Sequence, residues 1–158
     1  MSAPTLDELE QAGLLRPIDV QLARALCRMG QEDQPEVVLA VALTSRHVGR
    51  GHVCLDLEQW VQESPASLLG PAADPEWVNV LAERQWHDPG EWRLALERST
   101  LVTTDGAPLV LDLQGRVYLA RYFHHQARLA HALGERAAKL RSDVAEETLR
   151  EGLSRLFP

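Results

Sequence analysis

Residues 37–43, VVLAVAL, are apolar on every side. A helix without a polar face cannot lie on a surface, so it must run through the middle of a fold with other elements packed round it. Pro35 suits the first position of that helix, and Gly49 and Gly51 stop it. A chain of 158 residues can supply the surround. Folding at this length buries roughly two-thirds of the surface exposed in the unfolded chain.

The remaining signals are also mostly helical. Thr5 and Glu8 have the spacing of a capping box, and Gly13 ends the short helix they open. Pro17 opens a second helix in which Ile18, Leu22, Ala25, Leu26 and Met29 form one apolar face, and Gly30 ends the run. DPEWVNVL and DPGEWRLAL each place an Asp cap before a proline and a tryptophan. Between them and the upstream helices, ESPASLLGPAADP reads as a loop. PLVLDLQGRVYLARY reads as a hairpin around Gln114-Gly115. Tyr122, Leu129 and Leu133 then share a helix face. Asp143 with Glu146 caps a last helix, whose apolar side carries Val144, Leu149, Leu153 and Leu156. The expected class is mainly α, a multi-helix domain with one small antiparallel hairpin. Helices are expected at about 5–12, 17–29, 35–47, 57–62, 75–85, 89–98, 121–139 and 143–156, and the hairpin at about 108–119. One extra short strand is allowed for. The apolar end at Phe157-Pro158 reads as a cut or a junction to something downstream.

The stretch GHVCLDLEQW, residues 51–60, raises the question of chemistry. With His47 upstream it gives H-x4-H-x-C, which matches no standard zinc spacing. On a strand, His52 and Cys54 would face one side and Val53 and Leu55 the other, too far apart for a nucleophile and its base. Asp56 and Gln59 have capping spacing, and Leu55 and Trp60 have staple spacing. The stretch therefore reads as a structural junction between strand and helix. A zinc site on His47, His52 and Cys54 is the rival reading. His124, His125 and His131 lack the i, i+4 pair of helical zinc sites. Cys27 reads as core filler, and the tryptophans at 60, 77, 86 and 92 as core and interface anchors.

Composition narrows the rest. The single lysine, Lys139, follows no glycine-rich loop, so no phosphate-binding loop lies within the chain. A net charge of −7 argues against a whole-surface nucleic-acid binder. The segment 116–141 departs from that average: Arg116, Arg121, Arg128, Arg136, Lys139 and Arg141 face one acid, Glu135. Such a face suits DNA or an acidic partner, or is simply solvated. Two cysteines and an acidic N-terminus fit a reduced, cytoplasmic protein with no membrane segment.

Three stretches in order, GLLRPIDVQLARAL, VVLAVALTSRHVGRGHVCLDL and PLVLDLQGRVYLARYFHHQARLAHAL, resemble the amino-terminal region of RecD, the alpha subunit of exodeoxyribonuclease V. The resemblance runs over residues 13–157. Its signature residues are Arg16, Pro17 and Asp19; Gly51, His52, Val53, Cys54 and Leu55; and Tyr118, Leu119 and Arg121. Asp56 stands where the family often has proline. The resemblance implies a structural role for these residues, with none catalytic, ATP-binding or metal-binding. It implies a parent subunit that is an ATP- and Mg-dependent 5′–3′ DNA helicase in double-strand break repair. The motor domains are expected downstream. It further implies docking on the RecC subunit, with RecB in the same complex and DNA reached through that complex. The alternative is a module that guides single-stranded DNA along the basic 116–141 face.

Overall fold

The computed structural model describes residues 3–139 and 145–157. It is mostly helical, with one small sheet, and divides into two compact units, Met1–His124 and His125–Pro158.

The first unit is built round α3, Pro35–Gly49. From Val37 to Arg46 every residue of that helix except Val38 is buried. It packs against α2 (Pro17–Gly30), α7 (Pro89–Arg98), β1 (Leu55–Asp56) and β3 (Arg116–Leu119). The sheet is antiparallel in the order β1-β3-β2, with β2 at Leu109–Leu111. Leu55 pairs with Val117, and Val110 with Tyr118. The sheet lays Leu55, Leu109 and Val117, all buried, into the same core as Leu43 and Trp92. Trp92 also donates its indole N–H to the Glu36 carbonyl at 2.7 Å, tying α7 to the start of α3.

The caps explain where the shorter helices begin. Thr5 and Glu8 form a reciprocal capping box on α1, Leu6–Gln11. Asp56 accepts from Gln59 N at 3.0 Å and opens α4, Leu57–Gln62. Leu55 and Trp60, at the positions of a hydrophobic staple, are both buried in the core. Asp74 caps α6 (Pro75–Ala82) and Asp88 caps α7.

Several expectations are corrected. The stretch read as a loop between Glu63 and Pro75 contains α5, Pro65–Leu69, capped by Ser64. A further short helix, α8, spans Thr100–Thr103. In α2 the buried face is Asp19, Val20, Ala23 and Cys27, whereas Ile18 is 62% and Met29 80% exposed. The apolar stripe read at helical spacing is thus only partly covered, because a buried carboxylate occupies the inward side. The left-handed residue ending α2 is Gln31, at φ 52°, rather than Gly30. Residues 52–54 are not part of a strand, so His52 and Cys54 do not alternate with Val53 and Leu55 across a sheet.

α9, Ala120–Ala138, begins in the first unit, where Phe123 meets Tyr118 edge-on at 5.2 Å. The second unit holds the remainder of α9 and α10, Glu146–Leu156. Leu129 and Leu133 on α9, and Leu149, Leu153 and Leu156 on α10, are exposed. Ala145 is the α10 cap residue, with no side-chain bond. Asp143, the expected cap, and Val144 and Arg141 lie outside the described residues. Among the described residues no helix is long and apolar enough to cross a membrane.

Candidate functional site

The signature residues fall into three local assemblies. In the first, Arg16 precedes Pro17 at the α2 N-terminus, and Asp19 turns inward. Asp19 is fully buried, and its two oxygens accept from Arg16 N at 3.0 Å, Arg16 Nε at 3.0 Å, Arg16 Nη2 at 2.8 Å and Ser45 Oγ at 2.7 Å. Burial alone would raise its pKa. The bonds from Arg16 and Ser45 outweigh burial and hold the carboxyl below its usual range. The Arg16 guanidinium lies so close to Gly49 that a Cβ there would clash with it. A side chain at position 49 would have to push the Arg16 guanidinium aside.

The second assembly is the turn from α3 into β1. Gly51 sits at φ 88°, a conformation that favours glycine. The backbone N–H of His52 donates to His47 O at 3.0 Å, and the two imidazole rings lie 5.4 Å apart. His47 also meets Trp60 edge-on at 5.4 Å, and its Nδ1 lies 3.0 Å from Leu43 O. Burial lowers the His47 pKa, against the opposing pull of the Leu43 carbonyl, so the charged ring is disfavoured. Burial also raises the thiol of Cys54, which does not suit a nucleophile. Val53, by contrast, is 47% exposed.

The third assembly closes the hairpin. Asp112 accepts from Gln114 N, Arg116 N, Arg116 Nε and Tyr118 Oη at 2.8 to 3.1 Å. Burial and the bond to Asp112 push the Tyr118 hydroxyl up to about 12. Leu119 pairs with Leu109, and Arg121 is exposed in the first turn of α9.

Together the turn, α4, α5 and the hairpin enclose a cleft of about 500 Å³. Its charged lining is Arg46, Arg50 and Arg116 against Asp56 and Glu63, with His47, His52 and Cys54 between them. Arg46 is the least expected member, at 5% exposure. Its Nε donates to Leu14 O at 2.9 Å and its Nη2 to Leu68 O at 2.8 Å, and the guanidinium lies 5.3 Å from the Trp60 ring centre. Burial, together with the charge of Arg50, pulls its pKa down to about 10. Both carboxylates of the lining are engaged locally: Asp56 caps α4, and Glu63 accepts from Ser67 Oγ at 2.8 Å. Among the described residues no group of three or more His, Cys, Asp and Glu is placed to hold a metal.

The basic set expected at 116–141 divides between the two units. Arg116 belongs to the cleft and is paired with Asp112. Arg121 lies in the first unit, and Arg128, Arg136 and Lys139 are exposed in the second. Sequence reasoning passed over Ser45, Arg46, Arg50, Glu63 and Asp112. Ser45 and Arg46 carried one usable signal: they continue the α3 segment whose every face is buried.

Residues 11–118 match the family model described as "RecBCD enzyme subunit RecD, N-terminal domain". The chain belongs to the RecD N-terminal domain family. It is 36% identical over 113 residues to RecBCD enzyme subunit RecD of Mycolicibacterium smegmatis, covering 71% of this chain and 17% of the relative. It is 33% identical over 121 residues to the subunit of the same name from Mycobacterium tuberculosis, covering 75% and 18%. The chain thus spans about a sixth of the length of these curated RecD relatives. The first two assemblies and Tyr118 fall inside the matched RecD segment, and Leu119 and Arg121 lie just past it.

Proposed function

We propose that this chain is the subunit-docking domain of a RecD-type helicase subunit, acting in a RecBCD-type complex during double-strand break repair. In this reading ATP, Mg²⁺ and strand translocation belong to the rest of the subunit. The domain holds that subunit to RecC, RecB shares the assembly, and DNA is met through the whole complex. The observation that carries the reading is the α2 stripe. Ile18 and Met29 stand largely in water, with Leu22, Ala25 and Leu26 half-buried between them. Leu22 and Leu26 pack partly against the core, and the exposed ends of the stripe, Ile18 and Met29, are the apolar surface a partner would cover. Purified RecC captured on a sensor, with the 158-residue chain as analyte, tests it. Binding at micromolar concentration or tighter is expected, weakened at least tenfold by Ile18→Asp with Met29→Asp. No binding at that concentration overturns the reading.

A second reading keeps a specific observation behind it: Arg121, Arg128, Arg136 and Lys139 are all exposed. A module guiding single-stranded DNA with these residues binds more weakly as salt rises. Fluorescence titration of a labelled strand at two salt concentrations separates the readings, since the docking domain gives no salt-dependent signal.

A further inference from the structure

The α2 stripe leaves the cleft between α4, α5 and the hairpin without a task. Its chemistry is unlike the rest of the surface. Arg46 is buried, yet among the described residues it has no carboxylate partner, only two carbonyls and the face of Trp60. Arg50, beside it at the α3 C-terminus, is exposed and likewise forms no ion pair among the described residues. Two guanidinium groups on one wall repel each other, and the charges of Asp19 and Glu63, which form no ion pair with Arg46, do not offset the cost of its burial. Part of that cost is met by the α3 C-terminus, whose carbonyl end favours cations. A negative group entering the cleft would meet the remainder. Glu63 and Asp56 do not do so by direct pairing, because Ser67 and the α4 amide hold them.

We propose that this cleft receives an acidic side chain of the partner protein, its carboxylate set between Arg46 and Arg50 with the exposed Val53 packing at the rim. The proposal rests on the docking reading and deepens it by naming the chemistry of one contact. A protein carboxylate fits better than a nucleic-acid backbone on three grounds. The chain carries a net charge of −7, which opposes a polyanion. Asp56 and Glu63 stand on the cleft wall and leave room for one negative charge rather than a run of them. An arginine beside an exposed apolar residue is the composition of a protein interface.

Arg50 is the residue to change, because it is exposed and carries no part of the core. The 158-residue chain and its Arg50→Glu and Arg50→Gln variants are checked for unchanged circular dichroism, then titrated against RecC. Arg50→Glu is expected to lower affinity about 10- to 100-fold, and Arg50→Gln about tenfold with a shallower salt dependence. Wild-type binding with no loss in either variant overturns the cleft proposal and leaves the docking reading standing. No wild-type binding overturns both. A partner-free arm asks whether the cleft takes an oxyanion at all. Exchanging chloride for inorganic phosphate at constant ionic strength is expected to raise the wild-type melting temperature about 2–5 °C more than that of Arg50→Gln. Equal shifts overturn the proposal. A fluorescein-labelled oligo-dT whose binding disappears in Arg50→Glu would also overturn it, by giving the cleft to nucleic acid.

Discussion

Asp19→Ala offers a quantitative test of the Arg16–Asp19–Ser45 assembly. The carboxylate is fully buried and takes four hydrogen bonds. Its removal strands the buried donor Ser45 Oγ, which costs about 1–3 kcal/mol, and leaves the part-buried Arg16 N without its partner at a smaller cost. The Arg16 side chain is 52% exposed and can rehydrate, so its broken ion pair adds under about 1 kcal/mol. The expected loss is about 3 kcal/mol, a large part of a typical total of about 5–15 kcal/mol. Urea unfolding followed by circular dichroism should show the midpoint falling at unchanged slope. At this size the melting temperature should drop by about 6–12 °C. Gly49→Ala supplies a second leg, because its Cβ would strike the guanidinium that Asp19 holds in place. With Asp19 absent, Arg16 is free to swing away, and the cost of the alanine should shrink by about 1 kcal/mol or more. A loss below about 1 kcal/mol for Asp19→Ala, or costs that add to within about 0.5 kcal/mol, would refute the account.

Other outcomes follow from the same structure. Trp92→Phe should destabilise more than Trp60→Phe, by about 1–2 kcal/mol, because Trp92 gives its N–H to Glu36 O and Trp60 Nε1 has no partner; equal costs in urea titrations would contradict this. The lowered pKa values of Asp19 and Asp112 mean that the unfolded chain binds more protons in acid. Their contribution is complete above the unfolded value of about 3.9 and is lost as pH falls from there through the lower folded values, so unfolding midpoints should decline below about pH 4, less steeply in Asp19→Asn. The Cys27 thiol, pushed up to about 11 by burial, should resist an aromatic disulfide reagent at pH 8 until urea is added, with Cys54 reacting first. Replacing Gln31, at φ 52°, by glycine should raise the unfolding free energy by about 0.5–1 kcal/mol, read as a higher urea midpoint at unchanged slope.

The parts of this fold that were legible in the sequence were those with local causes. Thr5, Asp56, Asp74 and Asp88 each cap the helix that follows, and a helix apolar on all sides became the centre of the core. Ser64-Pro65 carried the same cap-then-proline signal as Asp74-Pro75 but was masked by the small and proline-rich residues around it. The orientation of α2 was not legible, since nothing local says that Asp19 will find Arg16 and Ser45 and turn inward while Ile18 and Met29 stay out. The cleft was illegible for the same reason. Arg46 takes its carbonyls from Leu14 and Leu68, and Arg116 arrives from the far end of the chain, so only tertiary structure brings them together.

The placement of α3 also governs how the first unit breathes. Its residues between Leu39 and Arg46 are buried under α2, α7 and two strands, so uncovering their peptide N–H groups should take more than fraying. Their exchange with deuterium should require loss of the whole unit, at rates reporting its full unfolding free energy. The amides of α6 touch little besides α5 and should exchange by fraying long before that. Any motion that accompanies assembly would then draw on the periphery and leave the central rod intact.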